Sequence, residues 1–171
     1  MFALLLGVVY PLTMTRVAQT VFPAQANGSL SQQRDTIVGS SLIGQDFTAP
    51  EYIHGRPSAT DPAYYAGSSG GSKLGPSSDA LLLSVRELAT AFGDAPVPSE
   101  MAIASASGLD PHITLEAALR QVPQIAEACG IAPEAVLNAI RSATTGPAFG
   151  FVGGSIINAL QANLAFDALN G

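Results

Sequence analysis

Residues 1–22, MFALLLGVVYPLTMTRVAQTVF, carry one charged side chain, Arg16. As a helix they would extend about 33 Å, close to the thickness of a bilayer's hydrocarbon core. No other stretch limits the possible folds so strongly, because it decides whether the chain meets water or lipid first. Pro11 removes one helix hydrogen bond, which membrane helices tolerate. Arg16 lies in the second half, where a long side chain reaches the headgroups. Two other readings compete. Ala24-Gln25-Ala26 has the small-x-small form of a signal-peptide cleavage site, but no cation precedes the apolar run. A buried core helix fits poorly, since residues 2–9 are apolar on nearly all sides. The favoured reading is a retained transmembrane helix over residues 1–24, with its natural start upstream. Residues 25–171 then form one domain outside the cytoplasm.

Charged residues make up 12% of the chain, about half the usual share of roughly 25%. The net charge is -6, and Lys73 is the single lysine. Nucleic-acid binding needs clustered Lys and Arg facing phosphates, and none is present. Cys129 stands alone, so the sequence holds neither a disulfide framework nor a Cys-x-x-Cys metal ribbon. It reads as a small buried residue.

After a polar lead-in, Asn27–Ser41, the segment SLIGQDF (41–47) reads as a short strand or turn. Residues 49–78 then hold four prolines and five glycines before any helical period appears. A loop that long inside a compact domain is functional or disordered. Tyr52, Tyr64 and Tyr65 argue that it is ordered. Three helices follow. The first is capped by Ser77 or Ser78, presents Leu81, Val85, Leu88 and Phe92 on one face, and ends at Gly93. The second starts at Thr114, runs through Ala118, Val122, Ile125 and Ala126, and stops at Gly130, with Pro123 kinking it. The third opens on Pro133 and buries Val136, Leu137 and Ile140. Residues 155–169 alternate well enough for a strand, with Ile156, Leu160, Ala162, Leu164 and Phe166 on one face, although a helix fits almost as well. The fold class expected is α+β: one transmembrane helix, then a domain of about three helices and a small sheet.

The Gly/Ser-rich stretch AGSSGGSKLGPSS (66–78) imitates two catalytic motifs. A phosphate-binding Walker loop needs a second glycine before its lysine and a hydroxyl after it, and Ser72-Lys73-Leu74 supplies neither. Gly67-Ser68-Ser69-Gly70-Gly71 has the letters of a hydrolase elbow, with Asp110 and His112 as paper partners for Ser69. The elbow needs a strand before it and a helix directly after it, and both are missing. His54 and His112, with Asp110, are too sparsely spaced for a metal site. Arg56 reads as an anion ligand or, in the favoured reading, as a donor to the carbonyls of its own irregular loop. On chemistry alone, this is an anchored or secreted domain with ordered Gly/Pro-rich loops and no convincing active site.

Taken together, the loop motifs GSSLIGQDF, YIHGRPSAT, SSGGSKLGPSS and ASASGLDPHIT, in that order, resemble the C subunit of the bacterial Kdp potassium-transporting P-type ATPase. AALRQVPQIAEACGI, the membrane-exit segment and the tail INALQANLAFD are also similar to that family, and the likeness spans essentially the whole chain. The chain departs from the family pattern at Lys73, at Gln124, at Ala106 and over GPAFGFVGGS (146–155). The resemblance implies a non-catalytic accessory subunit of an ATP-driven potassium importer. Its partners would be a P-type ATP-hydrolysing subunit, a channel-like potassium-binding subunit and a small single-span subunit. ATP, magnesium and potassium would act at the level of the complex, with none bound directly here. It also implies structural or interface loops at Gly44, Gln45, His54, Gly55, Arg56, Pro57 and Ser58. The same holds for Gly70, Gly71, Ser72, Gly75 and Pro76, and for Ser107, Gly108, Asp110, Pro111 and His112. Such subunits are described as aiding ATP binding. An extracytoplasmic domain would have to exert that effect across the membrane, by coupling two global states.

Overall fold

The computed structural model describes residues 1–92 and 96–170. Contacts divide the chain into two compact units, Met1–Leu42 and Ile43–Gly171.

The first unit begins with one apolar helix, Phe2–Val21, of 20 residues, none of them buried. It comprises α1 (Phe2–Leu4), a π-helical stretch (Leu5–Val9) and α2 (Tyr10–Val21). The wide π turn has a local cause: Pro11 cannot donate a hydrogen bond and its ring crowds the carbonyl of Gly7, one turn earlier. The hydroxyls of Thr13, Thr15 and Thr20 each donate to the carbonyl four residues back, at 2.8 to 2.9 Å. No polar side chain of those three is therefore left bare on the apolar cylinder. A short helix, α3 (Pro23–Ala26), ends the run.

The expected lead-in is instead a β-hairpin. Strands β1 (Leu30–Gln33) and β2 (Thr36–Ser40) pair antiparallel, with Gln33 opposite Thr36. The two turn residues, Arg34 and Asp35, have φ of 48° and 64°. Two positive φ values are what a tight hairpin turn with matching twist requires. Ser40 and Ser41 close the base on the carbonyls of Gly28 and Ser29.

The second unit is α+β. From Ile43 to Ser78 the backbone is irregular, so segment 41–47 contributes no strand. Helix α4 (Asp79–Thr90) follows, with Ser78 at its N-cap position. The serine hydroxyl makes no capping bond, contrary to expectation; α4 leans on its aspartate, Asp79, in the first turn. The expected face of α4 is half-buried at Leu81, Val85 and Leu88. The expected stop at Gly93 lies outside the described residues. After α5 (Ser99–Ala102), strand β3 (His112–Thr114) leads into α6 (Leu115–Cys129). The Thr114 hydroxyl accepts from the N–H of Ala117, and Gly130 ends α6 in the left-handed conformation at φ 65°. The helix continues through Pro123 to Cys129. Helix α7 (Pro133–Ser142) starts on its proline.

Residues 155–169 correct the strand reading. Only β5 (Ile156–Asn158) is extended, and α8 (Ala159–Asn170) takes the rest. Strand β5 is the middle of a three-stranded antiparallel sheet, ordered β3-β5-β4, where β4 is Thr144–Thr145. Ile113 lies opposite Ile157. These two pack with Ala117, Val122 and Ile125 of α6, Val136 and Ile140 of α7, and Phe166 of α8 in one core. Burying a side chain such as Phe166 contributes about 2 to 3 kcal/mol. Cys129 is half-buried at the edge of that core, its thiol 3.8 Å from the Glu51 carbonyl.

Candidate functional site

The irregular segment is fixed to the core by two side-chain amides. Ile53, fully buried, donates its N–H to Asn163 Oδ1 at 2.8 Å, and Asn163 Nδ2 donates back to the Ile53 carbonyl at 3.0 Å. The next residue repeats the pattern from another helix: His54 N–H to Gln121 Oε1 at 2.8 Å, and Gln121 Nε2 to the His54 carbonyl at 3.2 Å. Two amides from α8 and α6 thus pair the backbone of residues 53–54 as a neighbouring strand would.

Beyond this clamp, four loops converge. Gly44 N–H donates to the Leu109 carbonyl. Ser58 Oγ donates to the Gly108 carbonyl at 2.7 Å and accepts from the N–H of Tyr64 at 3.1 Å. Ser105 N–H donates to the Pro57 carbonyl, and Gly70 N–H to the Ser107 carbonyl at 2.8 Å. Arg56 Nη1 pairs with Asp110 Oδ2 at 3.4 Å, and Asp110 Oδ1 accepts from the N–H of His112 at 3.0 Å. Arg56 therefore answers a carboxylate, not the carbonyls expected from sequence. Its Nε is buried without a partner. The ion pair is about one-third exposed at Asp110, so it contributes roughly 1 kcal/mol at most.

Tyr64 occupies the centre. Its hydroxyl donates to the Arg56 carbonyl. A Cβ on Gly44 or Gly55 would collide with its ring or its hydroxyl, so both positions need glycine for close approach. Burial, followed by the carboxylates of Asp46 and Asp110, pushes the Tyr64 phenol up to about 12, with Arg56 opposing. The unfolded phenol releases its proton near 10.0, so between about pH 10 and 12 only the folded ring keeps it. The Tyr64 contribution to stability is then constant below pH 10 and falls as the pH rises towards 12. Tyr52 adds a slope of the same sign, because its bond to Asp167 and its burial raise it too. Urea midpoints measured from pH 8 to 11.5 should fall less steeply for Tyr64→Phe than for wild type, after a loss of about 1 kcal/mol at neutral pH for the missing hydrogen bond. Parallel slopes would mean that the phenol does not titrate differently in the two states.

A cleft of about 370 Å³ opens beside this centre, lined among others by Gln45, His54, Arg56, Tyr64, Phe92 and Met101. His54 Nε2 lies 3.1 Å from the Ala49 carbonyl. A second cleft, of about 640 Å³, is lined by Arg56, Ser72 and Lys73 among others. Ser69 donates its hydroxyl to the Ser107 carbonyl at 2.9 Å, and no strand or helix adjoins the Gly67–Gly71 turn. Among the described residues, no three His, Cys, Asp or Glu side chains come together around a metal-sized space.

The family model described as K+-transporting ATPase, c chain, matches residues 1–168. The chain belongs to the KdpC family. It is 48% identical over 169 residues to the potassium-transporting ATPase KdpC subunit of Burkholderia cenocepacia (strain HI2424), covering 95% of this chain and 88% of that protein. The subunit of the same name from Acidobacterium capsulatum is 46% identical over 98% of this chain and 92% of its own length. That of Methylococcus capsulatus is 44% identical over 97% and 91%. As a KdpC chain it is a subunit of a transporting ATPase, with one candidate N-terminal span.

In this KdpC chain the structure brings together Gly44, His54 to Ser58, Gly70, Gly71 and Ser107 to His112. The Pro111 carbonyl accepts from Ala159 N–H at the start of α8. Gly75 and Pro76 stand apart: both are exposed, and a Cβ on Gly75 would meet nothing. Sequence reasoning missed Gln121, Asn163, Ser105 and the central place of Tyr64. Gln121 did leave a signal, since it interrupts the apolar face between Ala117 and Ile125.

Proposed function

We propose that this chain is the non-catalytic accessory subunit of an ATP-driven potassium importer in a bacterial inner membrane, and that its loop cluster is an assembly contact. Phe2–Val21 anchors it, and the residues that follow face the outer side of the membrane. Its partners are the P-type ATP-hydrolysing subunit, the channel-like potassium-binding subunit and the small single-span subunit. ATP, magnesium and potassium belong to those partners. The observation that carries this reading is how the loop side chains are used. Ser58 and Ser69 donate to the Gly108 and Ser107 carbonyls, Tyr64 to the Arg56 carbonyl, and Asp110 pairs with Arg56, while Ser105 accepts from Gly108 N–H within its own loop. These bonds build a fixed surface in which none of these hydroxyls is bonded to a base. Fixing that much irregular backbone has a large entropy cost, which a rigid docking face justifies and a mere linker does not.

The test is capture of the tagged chain from detergent-solubilised membranes of its own host, grown under potassium limitation, with partners identified by mass. A P-type subunit and a large multi-span subunit should appear in fixed ratio. A lone soluble protein beginning near Asn27 would favour a secreted domain instead. Arg56→Ala sharpens the test. The ion pair is weak, so the chain should fold with a loss of roughly 1 kcal/mol or less. Partner recovery and transport should nevertheless fall about tenfold, since a guanidinium at an interface centre is worth more than 1 kcal/mol. Full recovery and transport would remove the HGRPSAT loop from the contact.

A further inference from the structure

Between β4 and β5, residues 146–154 form a finger. The N–H of Ala148 donates to the carbonyl of Val152, and that of Val152 to the carbonyl of Ala148, both at 2.9 Å. Phe149, Gly150 and Phe151 make the tip, with Phe149 at φ 54° and Gly150 at φ 82°. Phe149 is 91% exposed and Phe151 81% exposed, and Val152 beside them is also open. A bulky residue in the left-handed region is uncommon, and such strain collects at functional positions. Here the strained residue holds a phenyl ring clear of the other described residues, 91% exposed. Residues 142–166 contain no Asp, Glu, Lys, Arg or His, although the chain carries a net charge of -6.

We infer that the Phe149–Phe151 finger dips into the lipid surface and gives the domain a second hold on the membrane. Three observations select lipid as the occupant. The patch consists of two highly exposed rings and a valine, far smaller than the area a stable protein–protein contact buries. A membrane insertion needs only a few apolar side chains once another element has brought the protein to the surface, because tethering raises the effective concentration of lipid. The same chain carries the apolar helix Phe2–Val21, which supplies that tether. The absence of charge from residues 142–166 means that the finger itself brings no ionic partner for a headgroup and no carboxylate to repel one.

The inference rests on reading Phe2–Val21 as a span, and one experiment separates the two. The chain has no tryptophan, so Phe151→Trp introduces a single reporter. The full-length variant is reconstituted into phosphatidylcholine vesicles with or without brominated acyl chains. Glu134→Trp, at an exposed charged position, is the control. The chain should float with the vesicles. The F151W indole should emit further to the blue than the E134W indole and lose intensity in brominated lipid, while the control changes in neither respect. A floating chain whose F151W indole emits as in water and escapes bromine overturns the lipid contact while sparing the span. A blue-shifted indole that escapes bromine places the finger in protein, and overturns it too. A chain that fails to float removes the tether and the inference together.

Discussion

Asn163→Ala is expected to lower the unfolding free energy by about 3 kcal/mol, which is a large part of a small domain's margin. The reason is asymmetric. Ile53 is fully buried, and both its N–H and its carbonyl are bonded to that one amide. Truncation leaves two buried polar groups unmatched, each costing roughly 1 to 3 kcal/mol, and opens a small void besides. Asn163→Asp should be at least as damaging at neutral pH, because an acceptor-only carboxylate cannot donate to the Ile53 carbonyl and would be a buried charge. Gln121→Ala should cost less, about 1 to 2 kcal/mol, since His54 is only half-buried and water can reach its backbone. Gln124→Ala is the baseline. Its one bond, to the Pro50 carbonyl, is 3.4 Å long and exposed, and the expected change stays within about 0.5 kcal/mol. Thermal unfolding of the detergent-solubilised chain reads all four. If Asn163→Ala matched Gln124→Ala, the side-chain clamp would not be what holds residues 53–54.

The same asparagine explains where the sequence could and could not be read. Helices α6 and α7 were legible because apolar period, Thr114 cap, Gly130 stop and Pro133 start all agree. Helix α8 was not. Its buried positions, Ala159, Leu160, Ala162, Asn163 and Phe166, follow a helical stripe. One of them is polar, and without Asn163 the stripe looks like alternation. The hairpin hid for a different reason: Arg34 and Asp35 adopt a turn conformation that Asn-Gly or Asp-Gly normally announces. Within the loop cluster, the motifs were legible as letters, but their partners were not. Arg56 meets a carboxylate 54 positions away, and no local pattern encodes such a pairing. The glycines of the loop motifs split in the same way. Gly44 and Gly108 are needed for close approach, whereas Gly75 lies in open space, yet all three look alike in a Gly/Ser-rich text.

That split makes the second large effect. Gly108 has φ 68°, and a Cβ there would lie 2.6 Å from Thr60 Cγ2 and 2.7 Å from the Gly70 carbonyl oxygen. The threonine can rotate away, but the carbonyl is backbone, itself fixed by the Gly70 N–H bond to Ser107. Gly108→Ala therefore forces two loops apart. It strains a left-handed residue by about 1 kcal/mol and breaks the bond from Ser58 Oγ to the Gly108 carbonyl. The expected loss is about 2 to 4 kcal/mol. The core of α6, α7 and α8 does not run through this position, so the helical circular dichroism should persist below the transition. Partner recovery in the capture experiment should fall tenfold or more, because the loop cluster proposed as the assembly face is the part displaced. Gly75→Ala carries neither a positive φ nor a clash, and should keep both stability and recovery. A folded Gly108→Ala chain that still captures its partners at the level of Gly75→Ala would show that the cluster serves the domain's own packing, and the assembly contact would have to be sought elsewhere on its surface.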